Sequence, residues 1–195
     1  MSEPQSPTDL PLIEFGDRQG WEAWLESNHL SSPGLWLKLA KKGAPRATVT
    51  QAGAIEEALC FGWIDGQVGR VDESFYRQRF TPRRPRSKWS QINRRKAIEL
   101  IERGLMRPAG LDQVRRAQAD GRWDAAYEPQ AAATVPPDFA AALAANPSAE
   151  AFFTTLTGAR RYAFLYRIAD AKRPETRSRR IATFVAVLAE GRTLN

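Results

Sequence analysis

Residues 67–96, QVGRVDESFYRQRFTPRRPRSKWSQINRRK, decide the fold. Stretches 67–71 and 75–81 are rich in β-branched or aromatic residues set between polar ones. Asp72-Glu73-Ser74 between them is a turn, so the two read as paired strands. Prolines 82 and 85 stop the second strand. Ser87 then stands where a helix N-cap belongs, and the pattern predicts a helix to about Arg103, closed by Gly104. Its apolar stripe is Trp89, Ile92, Ala97, Leu100 and Ile101. Together with a strand at 35–39, this gives an α+β fold: a small, mainly antiparallel sheet packed by helices, followed by a helical C-terminal module.

The same stretch holds the charge. Residues 77–96 carry nine basic side chains and no acid, more than the net charge of +7 of the whole 195-residue chain. A field this localised points to an anionic partner. Prolines stiffen the segment, which lowers the entropy cost of gathering several guanidinium forks around one anion. The candidate anion-binding residues are Arg79, Arg83, Arg84, Arg86, Ser87, Ser90 and Asn93, with the N–H groups of the expected helix start beside them. Asn93 falls on the apolar stripe, so its amide needs a backbone or ligand partner. Phe80 and Trp89 read as core.

Upstream, residues 1–9 read as a disordered tail and 10–15 as a short edge strand limited by Pro11. Asp17 is placed to cap a helix through Trp21, Trp24 and Leu25, and Thr50 to cap another through Ile55, Ala58 and Leu59. Asp65-Gly66 is a turn signal. Downstream, Pro108 opens a helix that Gly121 closes. Residues 10–127 form the expected N-terminal domain. Residues 128–146, rich in Ala and Pro, read as a linker with at most one short helix at 138–145. Residues 147–191 form the helical module: a helix capped by Ser148, one directing Tyr162, Leu165, Ile168 and Ala169 inward, and one opened by Pro174 with Ile181, Phe184, Val185 and Leu188 on its stripe.

Three residues are candidates for chemistry. Cys60 lies near a helix C-terminus, where partial negative charge disfavours a thiolate, and reads as core. His29, the sole histidine, ends a helix. Asp65 either holds a turn or pairs with an arginine from 77–86. One histidine and one cysteine give no metal-ligand spacing, and no nucleotide-binding or nucleophile-elbow motif occurs, so no metal or cofactor is expected. Lys172, Arg173, Arg177 and Arg180 surround the last helix's start as a secondary basic face. The chain shows neither a signal peptide nor a 20-residue apolar run, and reads as soluble and cytoplasmic.

Several strings occur together: Trp21-x-x-Trp24-Leu25; Leu35-Trp36-Leu37 with Lys41-Lys42; the nine residues ALCFGWIDG with Glu57 before them; RFTPRRPRSKWS at 79–90 with Asn93; Gly121-Arg122-Trp123; and AKRPETR at 171–177. Together they resemble the YdeI/OmpD-associated family, whose members are called bacteriocin-protection proteins. The resemblance implies a role in bacteriocin or envelope-stress tolerance and brings no reaction or cofactor. The leading expectation is a non-enzymatic binding protein for an anionic small molecule or an acidic protein surface. Two alternatives stay open: an enzyme acting on a phosphorylated or carboxylated small molecule, with Asp65 or His29 moving protons, and a nucleic-acid-binding protein.

Overall fold

Strand β4 (Phe75–Pro82) is central to a four-stranded mixed sheet ordered β1-β2-β4-β3, with β1 at Leu12–Glu14, β2 at Leu35–Ala40 and β3 at Trp63–Arg70. The computed structural model describes residues 10–194, and the expected tail, residues 1–9, lies outside the described residues. β4 runs antiparallel to both β2 and β3, whereas the short β1 is parallel to β2. The α+β, mainly antiparallel architecture is therefore as expected.

The sheet has two unlike faces. Leu35, Leu37 and Leu39 of β2 are buried, and they oppose Phe80, Gln78 and Tyr76 on β4. Helices α1 (Arg18–Asn28) and α2 (Gln51–Cys60) cover this side, with the Trp21 ring 5.7 Å from that of Phe80 and 6.3 Å from that of Trp63. Asp17 caps α1 by accepting from Gly20 N–H, and Thr50 caps α2 by accepting from Gly53 N–H. Side chains alternate along a strand, so Trp36, Lys38, Arg77 and Arg79 project from the opposite, outer face.

Two local expectations are corrected. Asp65-Gly66 is not a turn but lies inside β3. Asp65 opposes Phe80 and Val68 opposes Gln78, so three steps on β3 match two on β4. This is a bulge, which glycine accommodates and which disrupts pairing on an edge strand. Ser87 does not cap a helix either. Residues 84–87 form a β-turn with Pro85 in second position. Ser87 N donates to Arg84 O at 2.9 Å, and Ser87 Oγ accepts from Arg84 N at 2.9 Å. Helix α3 starts four residues later, at Gln91–Glu102, and Gly104 follows it with φ +68°. Its inward residues are Ala97 and Leu100, whereas Ile92 and Ile101 are 46% and 39% exposed. Helix α4 (Pro108–Ala119) opens on Pro108 and precedes Gly121, φ +77°.

The chain divides into two units, one holding the residues up to Trp89 with Asn93–Ala125, the other Ser90–Ile92 with the residues from Ala126 on. The second unit contains a 3-10 turn (Gln130–Ala132) and helices α5 (Pro137–Ala144), α6 (Pro147–Thr155), α7 (Gly158–Ala169) and α8 (Pro174–Ala189). Its core joins Phe139 and Leu143 of α5 to Phe153, Phe164, Leu165, Ile168, Phe184 and Leu188. The stretch expected as a linker, 128–146, thus folds as part of this unit. Pro137 opens α5, Pro147 just beyond the stretch opens α6, and the small alanines leave Phe139 and Leu143 as anchors. Asn146 rather than Ser148 caps α6, accepting from Ala149 N–H at 3.1 Å.

Candidate functional site

Arg77 and Arg79 stand two residues apart on β4, so both rise from the outer face of the sheet. Arg77 pairs in register with Lys38 on one side and Gly69 on the other, and Arg79 pairs with Trp36. Glycines on β3 give both arginines room to lie flat. A Cβ at Gly69 would stand 3.1 Å from Arg77 Nε, and one at Gly66 would stand 3.6 Å from Arg79 Nε. The Arg77 guanidinium lies 4.4 Å from the centroid of the half-buried Trp36 ring. The Nε atoms of both arginines are buried without a partner, and neither guanidinium finds a protein acceptor among the described residues. Each carries five N–H donors in a fixed fork, so the pair is a concentrated, unspent donor set.

The other cations on this face are occupied. Lys38 Nζ meets Glu14 at 3.0 Å, and Arg46 makes a two-pronged contact with the same carboxylate at 2.5 and 2.8 Å. Those bonds, Arg46's first and Lys38's second, hold the Glu14 carboxyl down at about 2. Lys38 and Arg46 also cover the Phe75 ring, at 4.2 and 4.7 Å from its centroid.

The loop after β4 divides its arginines. Arg83 is only 6% exposed and lies 3.7 Å from the centroid of the Trp89 ring. Its Nη1 donates to Lys88 O at 3.2 Å, and its backbone N–H donates to Gly62 O. Trp89 in turn meets Trp123 edge-on at 4.9 Å. Arg83 therefore holds the loop. Arg84 and Arg86 are exposed and make no ion pair among the described residues. With Ser87 committed to its turn and Arg83 turned inward, residues 83–87 do not present the joint cradle that the sequence suggested.

Asp65 and Asn93 meet, but away from Arg79. Asp65 lies opposite Phe80 on the helix-covered face, whereas Arg79 lies on the outer one. Asn93 Nδ2 donates to Asp65 Oδ1 at 3.3 Å and Gln78 Nε2 to Oδ2 at 3.0 Å, while Gln51 Nε2 donates to Gln78 Oε1 at 2.9 Å. This amide chain ties α2, β3, β4 and α3 together at the bulge. Neither Gln51 nor Gln78 belongs to a motif in the sequence. The sequence signal for this chain is Gln78 itself, a polar residue at a core position of an alternating strand. Ser90 is half-buried and bridges to Tyr127 within the second unit.

The other candidates have structural places. Cys60 is 2% exposed, and its thiol is pushed up to about 12 by burial and then by the charge of Glu57. A thiolate nucleophile is thereby disfavoured. His29 Nδ1 lies 2.9 Å from Leu25 O, its carbonyl accepts from Trp63 Nε1 at 3.1 Å, and its ring packs 5.2 Å from that of Phe61. On the secondary face, Arg177 grips Asp138 and donates to Ile168 O, and Arg180 donates to Arg167 O. Lys172 and Arg173 are exposed. Among the described residues, no group of three His, Cys, Asp or Glu side chains is placed to hold a metal. No helix there is long and apolar enough to cross a membrane.

Residues 13–113, just over half the chain, match the family model described as Domain of unknown function (DUF8412). Residues 132–191 match the model described as Bacteriocin-protection, YdeI or OmpD-Associated. No curated protein and no solved structure matches the chain.

Proposed function

For a chain that belongs to the DUF8412 family and carries the YdeI/OmpD-associated module at its C-terminal end, we propose a binding protein for an anionic ligand or acidic partner. The binding groups are Arg77 and Arg79 on the outer sheet face. Arg84 and Arg86 extend the cationic run beyond the strand. One observation carries this reading: two neighbouring guanidinium groups lie over a glycine floor with no acceptor among the described residues. Structural arginines in this chain, such as Arg83 and Arg177, have found rings, carbonyls or carboxylates. Among the described residues Arg79 has none of these, and Arg77 has only the Trp36 ring. Charge-assisted, forked hydrogen bonding to phosphate or carboxylate is what such a donor set performs best. The proposed setting is bacteriocin protection, the term in the description of the C-terminal match, with envelope-stress tolerance and a soluble, cytoplasmic location as part of the same proposal.

Inorganic pyrophosphate is a suitable probe, because it offers two linked anionic centres. Calorimetric titration of the full chain should register binding that weakens by about tenfold or more in the Arg77→Gln, Arg79→Gln double variant. Equal affinity in the two proteins overturns the assignment to this face.

A further inference from the structure

Resting on that reading, we infer that the anionic partner of the outer sheet face is a single-stranded nucleic acid, held by its phosphates on Arg77 and Arg79 with a base against Trp36. Three features argue for a polymer of this chemistry. First, the donors are spaced along a line. Side chains two apart on an extended strand stand about 7 Å apart, a separation that consecutive phosphates of an extended single strand also span. Second, the line continues. Exposed Arg84 and Arg86 follow the end of β4 and make no ion pair among the described residues. A lone small anion would be served by one fork, whereas a backbone uses successive ones.

Third, an aromatic ring lies within the charged row. Trp36 pairs directly with Arg79 and is stacked by Arg77, and it remains half-buried rather than enclosed. Rings beside cations on a strand face supply the stacking surface and phosphate track that single strands use, independently of sequence. The second aromatic of the face, Phe75, is 4% exposed beneath Lys38 and Arg46 and takes no part. An acidic protein segment would satisfy the forks but has no use for the indole. A duplex keeps its bases stacked and offers a sheet face only its backbone.

Fluorescence anisotropy with a labelled oligothymidylate, at low salt and on the full chain, tests this. Binding is expected, with log affinity falling linearly with log salt at a slope of about 0.7 per phosphate neutralised. The Arg77→Gln, Arg79→Gln variant should lower both affinity and slope. Trp36→Leu, kept only if its thermal unfolding stays cooperative, should weaken oligothymidylate by about fivefold or more, and by a larger factor than it weakens pyrophosphate, which loses only the support that the ring gives Arg77. Should Trp36→Leu fail that check, Trp36→Phe replaces it, and retention of most of the affinity is the expected result. Pyrophosphate binding without oligothymidylate binding overturns this inference and leaves the anion reading intact. Oligoglutamate competing as well as oligothymidylate, or an oligothymidylate affinity indifferent to Trp36→Leu, also overturns it. Loss of both probes in the wild-type chain removes the two together.

Discussion

Arg77 and Arg79 on β4 and Arg177 and Arg180 on α8 look alike in sequence, each a pair of cations in a basic run. In the folded chain they are opposites. Arg177 places Nε and Nη2 on the two Asp138 oxygens at 2.5 and 2.8 Å and Nη1 on Ile168 O at 3.0 Å. Arg180 takes Arg167 O and approaches Asp170 at 3.9 Å. Both carbonyls belong to the last turn of α7, where helical oxygens lack intrahelical partners. The β4 arginines have backbone already paired on both sides, glycines for a floor and a lysine and a tryptophan for neighbours. A cation is absorbed where a helix ends or an acid faces it, and stays unspent on the flat of a sheet. Local charge density does not separate these cases.

The largest effect expected from breaking this contrast comes from Phe139, because α5 is what brings Asp138 to Arg177. Phe139 is fully buried against Phe153, with ring centroids 5.3 Å apart. Phe139→Ala should cost about 3–5 kcal/mol, measured by denaturant unfolding. A loss under about 1 kcal/mol would mean that residues 128–146 contribute no core and that Arg177 is held by something else.

Next is the contrast inside the arginine run itself. Arg83→Ala removes a guanidinium stacked on a buried indole and its bond to Lys88 O, and should cost about 2 kcal/mol. Exposed Arg84→Ala should stay within about 0.5 kcal/mol. Equal costs would erase the distinction between a loop pin and a free cation.

That distinction explains what the sequence could tell. Alternation over 75–81, the Asp17 and Thr50 caps and the closing Gly104 and Gly121 are local signals with local causes, and they located the sheet and most helix ends. Ser87 failed because two local solutions compete for one hydroxyl. A proline-opened turn back onto Arg84 won over a helix cap, which moved the helix start to Gln91. Arg83 failed because its partner ring, six residues on, is brought over it only by the packing of Trp89 on Trp123. The linker failed because composition dilutes two anchors among many alanines. The free pair, Arg77 and Arg79, depends on strand register, which places them away from Asp65.

Arg177→Ala is expected to cost about 1–2 kcal/mol at neutral pH, with a defined pH signature. Its hydrogen bond holds the Asp138 carboxyl below the ordinary value of 3.8, against the opposing effect of partial burial. A lowered folded-state value gives stability that is complete above the unfolded value and lost as pH falls through the folded one. The stability curves of wild type and Arg177→Ala should therefore lie apart at pH 6 and approach each other below about pH 4. Curves that stay parallel into acid would assign the cost to the Ile168 carbonyl rather than to the carboxylate.

The smallest expected effect is the most informative. Among the described residues Arg79→Gln removes a charge that no protein group answers and Arg77→Gln one that meets only the Trp36 ring, so each should change unfolding free energy by no more than about 0.5 kcal/mol. Arg79 is the cleaner test, since Arg77 also stacks on Trp36 and carries some packing with it. Removing Arg77 also relieves its repulsion with Lys38 across the strand pair, which offsets part of that loss. A cost near that of Arg177→Ala would mean that the sheet itself depends on Arg79, and the donors would then no longer count as spare. A negligible cost combined with loss of pyrophosphate binding would separate folding from recognition at single residues, which is the behaviour of a site held open for something outside the chain.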